Sequence, residues 1–104
     1  MNTDSVAAER SRSPIVVIRH PKIEVYIKDW CGYSMGAKAL LESKSVSYEE
    51  IDVTSDPVRE AEMIARAGRH TVPQVFIDGR HIGGFDELAH LDSQGELDLL
   101  LFAS

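Results

Sequence analysis

In Ile23-Glu24-Val25-Tyr26-Ile27-Lys28-Asp29-Trp30-Cys31-Gly32-Tyr33-Ser34-Met35 a strand pattern gives way to a helix pattern around a single cysteine. Ile23, Val25 and Ile27 alternate with Glu24 and Tyr26, which predicts a strand over 23–27. From about Ser34 to Ser43 the period becomes helical. Ala37, Leu40 and Leu41 form an apolar stripe, and Lys38, Glu42 and Lys44 belong to the water side. Cys31 is the only cysteine in the chain. A thiol in the first turn of a helix meets unpaired N–H groups and the positive end of the helix dipole, and Lys28 adds a full charge nearby. Such surroundings favour a thiolate. The alternative is a buried core cysteine. The turn-like and polar neighbours Gly32, Tyr33 and Ser34 favour the reactive thiol.

Tyr48 to Val53 is the next strand pattern, joined to the first through a helix and therefore expected parallel to it with a right-handed crossover. Asp56-Pro57 signals a helix start, and Gly68 a helix end. Val58, Ala61, Ile64 and Ala65 are expected to lie on one face of that helix. Gln74–Ile77 and Arg80–Ile82 flank Asp78-Gly79, a hairpin signal. Asp86 is expected to cap a helix of about Glu87 to Asp92, and a last helix runs from about Glu96 to Phe102 with Leu97, Leu100 and Leu101 inward. The order β-α-β-α-β-β-α-α describes a small α/β domain: a four-stranded mixed sheet flanked by helices.

Upstream, residues 1–13 are polar and without periodicity, and residues 1–22 are expected to form a flexible N-terminal extension to the domain at 23–104. Ile15–Ile18 is either a short edge strand or an apolar arm packed on the domain. It is too short for a signal-peptide core, and Asp4 and Glu9 argue against a transit peptide despite Arg10, Arg12 and Arg19.

A length of 104 residues suits one domain, and 43% hydrophobic residues suffice for one core. A net charge of −6 argues against a nucleic-acid partner, which needs a basic face. No apolar run approaches the ~18–20 residues of a membrane span, so no membrane partner is expected. One cysteine cannot close an internal disulfide, and a reducing cytoplasm is the default compartment.

Two further segments could carry chemistry. In Thr71-Val72-Pro73 the proline belongs at a strand start or sheet edge. A plain trans loop-to-strand proline is the simpler reading; a cis bond would leave the Val72 backbone free to pair with an extended peptide. Gly83-Gly84-Phe85-Asp86 is either an ordinary turn with a helix cap or a place where N–H groups face an anion. His20, His70, His81 and His90 show no metal-ligand spacing, so no metal site is expected within one chain. Glu49-Glu50 is expected to have one solvated and one partly covered side chain.

These segments together resemble the glutaredoxin family over nearly the whole domain. The matching residues are Tyr26, Lys28, Cys31 and Tyr33, then Thr71-Val72-Pro73-Gln74-Val75-Phe76-Ile77-Asp78-Gly79, Ile82-Gly83-Gly84-Phe85-Asp86-Glu87-Leu88 and Leu91-Asp92-Ser93-Gln94-Gly95-Glu96-Leu97. The resemblance implies a thioredoxin-like fold and glutathione binding, with Cys31 as nucleophile. Lys28 and Arg69 would meet the glycine carboxylate of glutathione. Val72, before a cis-Pro73, would pair with its cysteinyl part. Gly84, Phe85 and Asp86 would hold the γ-glutamyl end, and Tyr33 and Thr71 would line the groove.

Ser34 departs from the dithiol members, which have a second cysteine at that place. Cys31-Gly32-Tyr33-Ser34 resembles the monothiol members, whereas the uninterrupted Lys28-Asp29-Trp30-Cys31 and the Thr-Val-Pro and Gly-Gly-Phe-Asp-Glu segments resemble the catalytic class. The expected function is a monothiol, glutathione-dependent reduction of glutathionylated proteins by a monomer. The alternative is a [2Fe–2S] cluster carrier, in which two chains each supply Cys31 and two glutathiones complete the ligand set. A third reading, an inactive adaptor on the same fold, predicts no glutathione binding.

Overall fold

In the computed structural model, which describes residues 20–102, four strands form one sheet: Ile23–Ile27 (β1), Glu49–Asp52 (β2), Gln74–Ile77 (β3) and Arg80–Gly83 (β4). Four helices are described with them: Gly32–Ser43 (α1), Pro57–Ala67 (α2), Phe85–Ser93 (α3) and Glu96–Phe102 (α4). The expectations for the polar tail and for Ile15–Ile18 lie outside the described residues. The chain order is the expected β-α-β-α-β-β-α-α, and the strands lie in the order β2-β1-β3-β4. β1 pairs parallel with β2, Tyr26 opposite Ile51, and antiparallel with β3, Val25 opposite Val75. A parallel pair needs a crossover, which α1 supplies.

Local chemistry sets the ends of the elements. The Asp56 carboxylate accepts the Arg59 N–H at 3.0 Å ahead of Pro57, and α2 stops at Gly68. Lys22 is tied to the β3–β4 turn on both sides, its N–H donating to Asp78 Oδ1 at 2.9 Å and its carbonyl accepting the Asp78 N–H at 2.7 Å. α3 starts earlier than expected. Gly84, not Asp86, is its N-cap, because the Glu87 carboxylate reaches back to accept the Gly84 N–H at 2.6 Å. Asp86 lies inside the first turn.

β1 is buried along its whole length, on both faces of the sheet. One face carries Ile23, Val25, Ile27, Val75 and Ile77 against Ala37, Leu41, Leu88, Leu97 and Leu101 from α1, α3 and α4. The other carries Tyr26, Ile51, Val53 and Phe76 against Met63 of α2. The apolar face expected on α2 does not pack here: Val58, Ala61, Ile64 and Ala65 are exposed, and Met63 is buried instead. The helix is turned because the sheet offers it polar partners as well as apolar ones. The Arg66 guanidinium donates to both Glu24 carboxylate oxygens, at 3.0 and 3.3 Å, and to the Tyr26 hydroxyl at 2.9 Å. Its carbon lies 4.0 Å from the centre of the Phe76 ring, and the Tyr26 hydroxyl donates in turn to Glu62. The carboxylates at 49 and 50 are both exposed, Glu49 toward Arg59 and Glu50 toward Lys38.

This network makes a stability prediction. Arg66→Ala leaves the buried Glu24 carboxylate without its fork and is expected to cost about 2–3 kcal/mol, reduced from a fully buried pair because Arg66 is partly exposed. The Arg66 hydrogen bonds hold the Glu24 carboxyl below its ordinary value of 4.5, with the Lys22 and Arg59 charges adding to the effect. A depressed folded-state pKa stabilises the fold above the unfolded value and loses that contribution as pH falls. Urea titrations at pH 7 should therefore show the full gap between wild type and variant, and the gap should shrink below about pH 4.5.

Candidate active site

The loop after β1 is pinned to the end of β2 by the Asp29 N–H, which donates to Thr54 Oγ1 at 2.9 Å. Trp30 follows in the left-handed region (φ 59), which turns the chain and leaves its indole 98% exposed. Cys31 is then the N-cap of α1: its backbone is extended and its carbonyl accepts the Met35 N–H at 3.0 Å. α1 thus begins two residues before the expected Ser34, with the thiol at the helix mouth. The thiol is half-buried, and Sγ lies 3.8 Å from the carbonyl oxygen of Val72, toward which it donates. The Val72–Pro73 bond is cis, as the resemblance implies and unlike the plain trans reading.

Beside this thiol runs a groove of about 340 Å³ lined by Tyr33, Arg69, Thr71, Val72, Pro73, Gly84, Phe85, Asp86 and Glu87. Under it Gln74 is fully buried and fully engaged. Its amide nitrogen donates to Thr71 carbonyl and hydroxyl oxygens at 3.0 and 3.2 Å, and its amide oxygen accepts from His81 Nε2 at 2.7 Å and from Arg69 at 3.4 Å. Across the groove Arg69 also pairs with Glu87 at 3.2 Å. Phe85 leans on Tyr33, ring centres 6.3 Å apart, and reaches α1 at Gly36, where a Cβ would stand 3.0 Å from its ring. A side chain at position 36 would push Phe85 out of the groove wall. A larger hollow, of about 410 Å³, lies between β4 and α3 around Arg80, Ile82, His90 and Leu91, away from the thiol.

The fold built on this sheet order coincides with that of known proteins. The family model described as Glutaredoxin matches residues 23–82. Glutaredoxin 3 of Escherichia coli (strain K12) is 52% identical over 79 residues, covering 76% of this chain and 95% of that protein. The chain belongs to the glutaredoxin family. Among solved structures, a buckwheat glutaredoxin–glutathione complex is similar with a TM-score of 0.72 at 31% identity, covering 78% of this chain and 76% of that one. A glutaredoxin from Brucella melitensis is similar with a TM-score of 0.70 at 43% identity, covering 78% of this chain and 88% of that one. Thiol–disulfide oxidoreduction is the role that family membership gives this chain.

Most of the residues singled out in the sequence meet in this glutaredoxin's groove: Tyr33, Arg69, Thr71, Val72, Pro73, Gly84, Phe85 and Asp86 line it, with Cys31 at its edge. Lys28 is the exception. Its ammonium is 3.0 Å from Glu60 on α2, outside the lining. Nor does its charge act on the thiol as expected. The Cys31 thiol is held below its ordinary value first by the neighbouring Ser34 hydroxyl, then by the backbone N–H groups of Ser34 and Tyr33, with burial opposing them. Among the described residues no group of three or more His, Cys, Asp and Glu side chains is placed to hold a metal ion.

Two participants have signals that the sequence does contain. Glu87 stands three places after Gly84, the spacing of a side chain that reaches back to a helix N-cap. Ser34 stands three places after Cys31 in the same relation. Gln74 gave no such sign, since a glutamine at a strand start is ordinarily solvated and its burial is decided by the β4 strand beside it.

Proposed function

We propose that this glutaredoxin is a glutathione-dependent oxidoreductase that reduces protein–glutathione mixed disulfides with Cys31 alone. The observation that carries the proposal is the thiol at the rim of a groove that also holds Arg69 and the N-terminus of α3, a cation and a helix mouth, each suited to a carboxylate. Glutathione is a short extended peptide with a carboxylate at each end. Arg69 takes the glycine carboxylate, the Val72 backbone beside cis-Pro73 pairs with the cysteinyl part, and Gly84, Phe85 and Asp86 hold the γ-glutamyl end. Tyr33 and Thr71 close the sides. The buckwheat neighbour, solved as a glutathione complex, supports the assignment.

In the first step the Cys31 thiolate attacks the glutathione sulfur of the mixed disulfide. A Cys31–S–SG bond forms, the old S–S bond breaks, and the substrate protein leaves as a thiolate that takes a proton from water. In the second, a glutathione thiolate attacks the glutathione sulfur on Cys31, so that glutathione disulfide forms and Cys31 departs as a thiolate. Ser34 cannot supply an internal thiol, so a second glutathione is obligatory, and a reducing compartment such as the cytoplasm must provide it. The test is turnover of a glutathionylated peptide coupled to glutathione reductase and NADPH. Parallel double-reciprocal lines against the two substrates are the expected result, and a rate no higher than that of glutathione alone refutes the proposal.

The open space beside Gly32, where an added Cβ meets nothing within 4 Å, leaves room for the cluster-carrier alternative, in which Cys31 from two chains and two glutathiones hold [2Fe–2S]. Anaerobic reconstitution with iron, sulfide and glutathione decides it: a coloured dimer supports it, a colourless monomer dismisses it.

Lys28, like Arg69, must leave an ion pair to reach a glycine carboxylate: Glu60 holds the one and Glu87 the other. Exposed ion pairs contribute about 0.2–1 kcal/mol, so Glu60→Gln is expected to lower the KM for glutathione about two- to fivefold with kcat unchanged. Initial rates across glutathione concentrations at low salt measure this. A raised KM would mean that Glu60 aims Lys28 at glutathione instead of competing for it.

A further inference from the structure

Gln74 and Phe76 stand two places apart on β3 and so share a face of the sheet, and His81 of β4 is paired with Phe76, ring centres 5.0 Å apart. Arg69, just past the Gly68 end of α2, reaches the same place. Where they meet, Gln74 is fully buried and its amide is specified at both ends. The Thr71 carbonyl can only accept, so the amide nitrogen faces it. The oxygen then faces Arg69, which can only donate, and His81, whose Nε2 must carry a proton. A buried amide is costly unless its bonds are made, and an apolar side chain of similar volume would need none of them. Its partners supply the reason for it. Arg69 and Thr71 line the groove, and His81 stands outside that lining.

We infer that Gln74 is a positioning residue for recognition in the groove, and that His81, from β4, locks the Gln74 amide in the orientation that aims Arg69 and fixes Thr71. A guanidinium can be oriented by a carboxylate or by a carbonyl. The Glu87 carboxylate, 3.2 Å from Arg69, orients it and offsets its charge as well. The Gln74 carbonyl, at 3.4 Å, orients it and leaves the charge for a ligand. The imidazole behind that carbonyl adds no cation of its own near neutral pH, since burial and the Arg69 charge hold His81 below its ordinary 6.5. An incoming carboxylate must displace Glu87 from Arg69, and Glu87 keeps its bond to the Gly84 N–H at 2.6 Å. The Gln74 contact is the one that lasts through binding. Naming glutathione as the ligand rests on the proposed function; the His81–Gln74–Arg69 link does not.

The experiment is calorimetric binding of S-methylglutathione, which cannot exchange with Cys31, to wild type, His81→Phe and His81→Gln. Phenylalanine keeps a ring against Phe76 but has no donor, and glutamine returns an N–H at the place of Nε2. Loss of one hydrogen bond corresponds to a Kd about two- to tenfold weaker in His81→Phe, most of it recovered in His81→Gln. Gln74→Met, of similar volume without the amide, should weaken binding by about tenfold or more. Should that variant fold poorly, the His81 pair decides, because His81 lies at the surface. Alkylation of Cys31 by iodoacetamide should keep its wild-type rate in His81→Phe; a changed rate would assign the loss to general loosening of the site and overturn the inference. An unchanged Kd in His81→Phe overturns it too, and so does a tighter one, since His81 would then compete with Arg69 for the oxygen. If wild type does not bind S-methylglutathione, the proposed function fails, and nitrogen relaxation of the Arg69 guanidinium without ligand decides the positioning role. Greater mobility in His81→Phe upholds it, and equal mobility overturns it.

Discussion

Cys31→Ser is expected to reduce turnover of a glutathionylated substrate by on the order of a thousandfold or more, down to the rate of glutathione alone. A serine hydroxyl is not ionised near neutral pH and does not exchange with a disulfide, so the first bond of the cycle cannot form. The fold should not suffer. Cys31 is an N-cap whose side chain makes no cap hydrogen bond, and serine is among the preferred N-caps, worth about 0.5–1 kcal/mol over a residue that cannot cap. The variant should therefore melt at the wild-type temperature or above it while being inactive, which separates loss of chemistry from loss of structure. Moving the thiol, in Cys31→Ser with Ser34→Cys, should not rescue activity, because position 34 is buried under the helix mouth and cannot reach a disulfide in the groove. Retention of more than about one per cent of wild-type turnover by Cys31→Ser would assign the nucleophile elsewhere.

The elements that the sequence revealed best are those whose signals are local. Ile23–Ile27 and Gln74–Ile77 form strands at the expected residues, and Asp56-Pro57 and Asp78-Gly79 start a helix and close a hairpin as backbone chemistry requires. What stayed hidden depends on partners distant in the chain. The period of α2 suits Val58, Ala61, Ile64 and Ala65 as a core face, yet the sheet beneath it presents Glu24 and the Tyr26 hydroxyl. Pairing those groups with Arg66 outweighs covering small apolar side chains. The ion pair of Lys28 was hidden for a similar reason, since its counter-ion, Glu60, comes from the next helix. The groove was legible because its residues fall in contiguous segments whose spacing matches a family. Ser34 was legible only as an absence, the missing second thiol.

Gly83→Ala is expected to lower stability by about 3–5 kcal/mol, because two costs meet at one atom. Gly83 has φ 124, where any side chain is strained, and its added Cβ would stand 2.7 Å from Glu87 Oε1 and 2.9 Å from both Glu87 Cβ and Cγ. The carboxylate could swing aside, but Glu87 Cβ is fixed to the backbone of α3. Relief therefore means shifting the start of the helix, with Leu88, which is fully buried in the core, directly behind. Glu87 also joins the Gly84 N–H to Arg69, so the same displacement loosens Arg69 together with the start of α3. The control is Gly79→Ala, where φ is 79 and the Cβ would meet nothing within 4 Å. Strain alone should cost about 1–2 kcal/mol there, without effect on the groove. Urea unfolding of the two variants separates the costs, and isothermal titration with oxidised glutathione reports the groove. Equal losses in the two variants would show that Glu87 yields freely and that the start of α3 is not what holds Arg69 in place.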